Sequence, residues 1–208
     1  MPEYIIHNAK AIVESIHKLH SHCPAIDTER RETGPRMPGE FDPNLYMTAL
    51  SHLRLQTGYV LDFTYIAFGS GGRPAVYARR VDDLQIADAN SVITYSEQHP
   101  LSEFLLVDDS PESWFDLTAF LVLAGQFYLY WHALYNDIRF VTSPDELARI
   151  LGSLEDLQTS KKDEAMKFDP RVLVSMEESH VAVTYCAFSS WHGFLQLRTT
   201  YQRHPPHR

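Results

Sequence analysis

Four potential metal ligands lie close together near the end of the first predicted helix. His17 and His20 are one helical turn apart, and His22 and Cys23 follow where the helix should end. Imidazole nitrogens and a thiolate suit zinc or another late transition metal. The spacing matches no established zinc signature, and the dipole at a helix C-terminus also favours histidine. The cluster is therefore either a metal site or a polar helix end, and apart from such a metal we expect no cofactor.

A second group of reactive side chains is predicted on one face of a β-sheet. Side chains of a strand alternate between its faces, so three aromatic-rich segments each present one apolar and one mixed face. On the mixed face, His132 could act as a general acid or base, with Asp62 or Asp137 as its orienting group. No nucleophile, base and orienting group stand at a spacing that indicates catalysis. A solvated surface, a binding surface and a catalytic site therefore all remain open.

Trp191 and His192 stand just before the last predicted strand, at a turn. An exposed tryptophan at a hairpin tip is a typical contact anchor, although it could instead fold back onto the core. Together with the mixed face, these two residues complete the predicted binding set: Asp62, Tyr128, Tyr130, His132, Asp137, Trp191 and His192.

The elements that must position these residues are marked by capping residues and turns. Asp42 and Ser110 each precede a proline, which is a typical helix start, and Ser143 with Glu146 fits a capping box. Apolar residues at helical spacing predict a further helix from Ala9 to about His20. Three hairpins are predicted from alternating aromatic and β-branched residues: 59–68 with 75–80, 126–134 with 138–142, and 180–188 with 194–201.

The three hairpins share a pattern. Their first strands end in Tyr-Ile-Ala-Phe at 65–68, Trp-His-Ala-Leu at 131–134 and Tyr-Cys-Ala-Phe at 185–188. Each is preceded by a segment that starts with proline, at Pro43, Pro111 and Pro170. This pattern indicates either three degenerate helix-hairpin units or a chance similarity among strands that end at turns.

The predicted fold class is α+β, with an antiparallel sheet of about six strands from three hairpins and helices packed on its apolar face. The length of 208 residues suits a single domain. Within it, residues 1–40 are predicted as an N-terminal helical arm and mobile loop, residues 41–203 as the core, and residues 204–208 as a tail.

Charge and cysteine content narrow the expected partners and location. Lys and Arg total 18 against 27 Asp and Glu, so the formal net charge is −9. Such a chain repels phosphate backbones and anionic membrane surfaces, which disfavours nucleic-acid and membrane partners. Two cysteines and no signal-peptide pattern indicate a reducing, cytoplasmic environment. The apolar stretch 114–135 changes its period halfway, which predicts a buried helix followed by a strand.

These patterns favour a binding function over a catalytic one. The absence of a catalytic signature, together with the acidic charge and the mixed sheet face, predicts a non-enzymatic protein-interaction or binding module. Its partner would be a protein or a small molecule on that face. The alternative is a hydrolase-type enzyme with a histidine–carboxylate or metal-assisted site on the same face.

Overall fold

The fold is described by a computed structural model, which covers residues 2–69, 71–131, 138–154, 163–190, 192–205 and 207. Its helices are α1 (Ala9–Ser21), α2 (Tyr46–Ala49), α3 (Ala89–Gln98), α4 (Pro111–Leu123) and α5 (Pro144–Ser153), with 3-10 turns at Pro43–Leu45 and Leu101–Glu103. Its strands are β1 (Glu3–Ile5), β2 (Gly34–Pro35), β3 (Leu53–Leu55), β4 (Tyr59–Phe68), β5 (Gly71–Arg80), β6 (Leu105–Val107), β7 (Tyr130–Trp131), β8 (Ile138–Val141), β9 (Leu173–Met176), β10 (His180–Ser189) and β11 (Gly193–Gln202).

The predicted α+β class with antiparallel sheets is confirmed. A five-stranded sheet has the order β1-β9-β10-β11, and β8 pairs with the second half of β10. A four-stranded sheet has the order β2-β4-β5-β7, and β3 pairs with β6 in a separate two-stranded ribbon. The described strands of the three predicted hairpins are thus divided between the two larger sheets.

Two of the predicted hairpins form with ten-residue strands, β4–β5 and β10–β11. The middle segment behaves differently, because Tyr130–Trp131 pairs with β5 whereas Ile138–Val141 pairs with β10. The described parts of this segment thus belong to two different sheets.

The predicted alternation of faces in both hairpins is confirmed. Leu61, Phe63 and Tyr65 of β4 lie in the main core, as do Val183 and Tyr185 of β10. The helices α1 and α4 supply much of the rest of this core. The opposite faces are partly covered as well, since α3 packs beside Ile66 and Tyr77 while α5 packs beside Cys186 and Phe188. The mixed face is therefore not an open surface along its length.

α4 is the central helix, as its all-round apolar sequence predicts. Ser110 accepts a hydrogen bond from the Ser113 amide, Pro111 occupies the first turn, and nine of its residues are buried. A helix in contact with two sheets has no solvated stripe, which explains why polar residues such as Asp116 and Thr118 are buried on it. Within the described ranges, no helix combines the length and apolarity needed to cross a bilayer.

The three segments that begin with proline adopt three different structures. Asp42 caps its turn by accepting a hydrogen bond from the Asn44 amide. The helix that follows is short and ends at Ala49, and residues 53–55 pair with β6. Pro170 is followed by strand β9 instead of a helix. Only the segment at Pro111 forms a long helix, so the three segments are not copies of one helix-hairpin unit.

The first 40 residues belong to the body of the fold, which corrects the expectation of an N-terminal arm. Ile12, Val13 and Ile16 of α1 are buried in the main core. β1 pairs with β9, and β2 pairs with β4. The apolar spacing along α1 predicted a helix but could not show which surface would cover it.

Candidate functional site

Asp62 was predicted as a binding residue on the mixed face, but it is fully buried in a closed ionic cluster. Its Oδ1 lies 3.1 Å from Arg36 Nε, and its Oδ2 lies 3.0 Å from Arg79 Nε. The side-chain amide of Gln85 donates a third hydrogen bond, at 2.9 Å. A buried carboxylate persists only when charge and hydrogen bonds compensate its lost hydration. Asp62 therefore ties β4 to its neighbours and is unavailable to a ligand.

The predicted tyrosines also serve the fold. Tyr128 lies just before β7, and its backbone has a positive φ of 52°. Its hydroxyl accepts a hydrogen bond of 2.9 Å from the Phe41 amide. Its ring packs against Phe63 and Phe127. Tyr130 pairs with Gly72 at the end of the four-stranded sheet. The predicted residues His132, Asp137 and Trp191 lie outside the described residues.

The contacts of the histidine cluster at the end of α1 favour a polar helix end over a metal site. His20 Nε2 lies 2.5 Å from the Tyr46 hydroxyl, which donates to the Ala124 carbonyl at 3.1 Å. Burial, with a smaller effect of His17, lowers the pKa of His20 to about 4. His22 Nδ1 contacts the Lys18 carbonyl oxygen at 2.7 Å.

The thiol of the same cluster is also engaged. Cys23 Sγ contacts the Leu19 carbonyl at 3.6 Å, and burial raises its pKa to about 11, so the thiolate that binds metals is disfavoured. In the part of the chain that the structure describes, no three His, Cys, Asp or Glu side chains are grouped to hold a metal ion.

A pocket of about 490 Å³ lies at the turn end of the β10–β11 hairpin. It opens on the face of β10 opposite the main core, the side on which Cys186 and Phe188 pack beside α5. We call it the hairpin pocket, and its lining residues are Leu154, Glu164, Ala165, Phe168, Phe188, Ser189, Ser190, His192, Gly193 and Phe194.

Aromatic side chains form the apolar part of the hairpin pocket. Phe188 and Phe194 are partners in the β10–β11 register, and their ring centroids are 4.9 Å apart. Phe168 comes from the segment before β9 and packs with the same cluster. Gly193 has a φ of 74°, a left-handed conformation that suits glycine and lets the chain turn sharply between the two phenylalanines.

Ser189 and His192 form the polar part of the pocket. The Ser189 hydroxyl accepts a hydrogen bond of 2.9 Å from the His192 amide and lies 3.2 Å from His192 Nδ1. Ser189 is only 1% exposed, so its oxygen serves the turn and is poorly placed as a nucleophile. The His192 ring is exposed at the pocket wall and can exchange hydrogen bonds with a ligand.

Of the predicted binding residues that the structure describes, His192 alone lines this pocket. Sequence reasoning missed Phe168, Phe188, Ser189 and Phe194, which also line the pocket. The alternation along β10 could have indicated Phe188, because it lies two residues beyond Cys186 on the same face. Nothing in the sequence indicates Phe168, since it reaches the pocket only through the packing of a distant segment.

A second polar cluster lies beside the β3–β6 ribbon. His52 Nδ1 is 2.7 Å from Asp108 Oδ2, and Ser110 holds the other oxygen of Asp108 through its amide at 3.0 Å and its hydroxyl at 2.5 Å. The hydrogen bond to Asp108 raises the pKa of His52. Partial burial opposes ionisation of Asp108, but the hydrogen bonds from Ser110 and His52 outweigh it and lower its pKa.

Because His52 Nδ1 is engaged with Asp108, the opposite ring nitrogen, Nε2, is the one that can exchange a proton with a substrate. The pair borders a cavity of about 290 Å³ that Arg54 also lines. Behind it, Asp116 is 1% exposed and accepts a hydrogen bond of 3.2 Å from the His52 amide. Burial raises the pKa of Asp116 to about 6.

The hairpin pocket thus joins an aromatic wall to a polar turn, whereas the His52–Asp108 pair offers proton transfer at a smaller cavity. The fold that carries them was also compared with known proteins. No family model, no curated protein and no solved structure matches this chain.

Proposed function

We propose that this protein is a non-enzymatic binding protein whose ligand is a small, largely apolar molecule with one polar group. One observation carries the proposal: three phenylalanines and the Ser189–His192 turn surround a pocket of about 490 Å³. Ligand pockets are commonly of this size, with apolar walls and a few polar groups that set orientation. The ring of the ligand would lie against Phe188 and Phe194, and its polar group would bond His192.

The shape of this face favours a small molecule over a protein partner. α3 and α5 cover parts of the mixed face, so a protein surface would reach only the pocket rim. The formal net charge of −9 favours a neutral or cationic ligand over nucleic acid or another polyanion. The free thiols Cys23 and Cys186 suit a reducing compartment, so we place the protein in the cytoplasm.

The test uses 2-naphthol, an uncharged aromatic probe with a single hydroxyl, titrated by calorimetry. Burial of its rings should give a Kd of about 10–100 µM after the cost of association. Phe168→Ala removes part of the apolar wall and should weaken binding by about tenfold. Phe68→Ala is the matched control, because Phe68 is exposed on the other hairpin.

A second pair of variants tests the polar contact. His192→Ala should weaken 2-naphthol binding by about fivefold. His180→Ala should leave it unchanged, since His180 forms a similar Ser–His contact with Ser179 at the far end of β10. Absence of binding, or equal losses in a pocket variant and its control, would contradict the proposal.

A hydrolase-type function is the second candidate, favoured by the 2.7 Å contact between His52 and Asp108. In the proposed step, water bonds to an acyl carbon while His52 Nε2 takes its proton, and the alkoxide or phenolate leaves. His52→Gln should slow hydrolysis of 4-nitrophenyl acetate by about 100-fold. His99→Gln is the control, because His99 also faces a carboxylate, with its Nδ1 3.8 Å from Glu103 Oε2. Equal hydrolysis rates in the two variants would exclude His52 as the catalytic base.

A further inference from the structure

The outer strand of the five-stranded sheet has an open edge. β11 pairs with β10 along all ten of its residues, and within the described ranges no strand pairs with its other side. An edge strand directs the amide and carbonyl groups of alternate residues outward. About five of the ten residues of β11 therefore offer unpaired backbone groups to another strand.

The core-facing side of β11 is also incompletely covered. Its partners in β10, such as Val183 and Tyr185, are at most 4% exposed. Leu195, Leu197 and Thr199 of β11 face the same way but are only half-buried. One further strand beside β11 would cover these side chains and pair its backbone at the same time.

β11 lacks the proline and the clustered charges that usually prevent an edge strand from pairing with another chain. Within the described residues, the strand β5 of the other hairpin pairs with β7 at Gly71 and Gly72 alone. The rest of that edge carries Pro74 and the arginines at 73, 79 and 80, and proline and charge are the usual protection against edge pairing. β11 contains no proline and a single charged residue, Arg198.

The sequence of β11 is complementary to itself in one register. When two identical strands pair in antiparallel fashion, directly opposite residues must lie on the same face of the sheet. The two-fold axis therefore passes beside one residue, which pairs with its own copy. An axis through Leu197 or Arg198 gives the longest overlap, over 193–201 or 194–202. An axis through Arg198 places two arginines opposite each other, which is destabilising. An axis through Leu197 instead pairs Leu197 with its copy and Gln196 with Arg198.

We infer that two copies of this chain associate through antiparallel pairing of their β11 strands, with the two-fold axis at Leu197. The five-stranded sheets of the two copies then form one continuous sheet, and the half-buried Leu195 and Thr199 face each other across the axis. This interface is independent of the ligand proposed for the hairpin pocket. Two chains of net charge −9 repel each other, so salt strengthens the pairing by screening.

The test measures sedimentation velocity of the full chain from about 5 to about 200 µM, in about 50 mM and about 500 mM sodium chloride. Gln196→Glu places a carboxylate opposite Arg198 twice per dimer and should tighten association roughly tenfold. Gln196→Lys places like charges there and should weaken it by a similar factor. The matched controls Gln98→Glu and Gln98→Lys make the same changes on the exposed face of α3 and should have no effect.

Hydrogen exchange at the two protein concentrations locates the interface. Alternate amides of β11 should gain protection at the higher concentration, while those of β5 should not. A chain that stays monomeric in high salt overturns the inference and leaves the edge to an extended segment of another protein. A dimer that ignores both Gln196 variants, or that protects another surface instead of β11, overturns it as well.

Discussion

The two hairpins with ten-residue strands share their architecture but differ in what covers their outer face and their outer edge. In β4–β5, the face opposite the main core is closed by the Asp62 cluster and by α3, and the outer edge carries proline and arginine. In β10–β11, the corresponding face holds the hairpin pocket, and the outer edge is open. The binding and pairing proposals concern the second hairpin, because, in the described parts of the two hairpins, it is the one that leaves apolar walls and backbone groups available to a ligand or another chain.

The largest expected effect on stability comes from removing the Asp62 carboxylate, which closes the outer face of β4–β5. Asp62→Ala leaves Arg36 and Arg79 partly buried without their carboxylate, and removal of one partner from a buried ion pair costs about 3–5 kcal/mol. Urea unfolding at pH 7 measures the loss. If Asp62 instead contributes no more to the free energy of unfolding than an exposed ion pair does, its cluster is not what closes the outer face of β4–β5.

Asp169 provides the matched control for that experiment. Its carboxylate lies 2.6 Å from Arg171, on the segment that leads into β9, and both side chains are substantially exposed. Asp169→Ala should therefore cost about 0–1 kcal/mol. Similar losses for the two variants would mean that the burial of the Asp62 cluster does not matter to stability.

A smaller effect is expected at Asp116 on α4, the helix that contacts the five-stranded sheet and the β3–β6 ribbon. Like Asp62 it is buried, but Asp116 Oδ1 has no hydrogen-bond partner within the described structure. Its pKa of about 6 lies above the ordinary value of about 3.9. The folded state therefore binds a proton that the unfolded state releases, and stability falls as pH rises from about 4 to about 6.

Asp116→Asn keeps the acceptor for the His52 amide but removes this titration. At pH 8 the variant should be more stable than the parent protein by about 2 kcal/mol, and the gain should vanish near pH 4. Thermal or urea unfolding across this pH range measures the difference. A gain that is equal at both pH values would show that Asp116 does not titrate between them.

Local patterns were predictable because the interactions behind them span only a few residues. The caps at Ser110 and Ser143 accept the expected hydrogen bonds from amides three residues ahead. The period of two along β4 and β10 assigned their core faces correctly, since a slip of one residue would have buried the polar set against α1 and α4. His192 lines the hairpin pocket, and its role in binding stays a prediction.

The sequence by itself determined the fold class, the helix starts at Ser110 and Ser143 and the faces of the two long hairpins, because hydrophobic period and capping act locally. Only the tertiary structure decided what covers each face. Asp62 meets Arg36 and Gln85, and His52 meets Asp108, across long separations in the chain, and Phe168 joins Phe188 from another segment. Such contacts depend on how whole elements pack, so neither the closed cluster nor the pocket has a local signature.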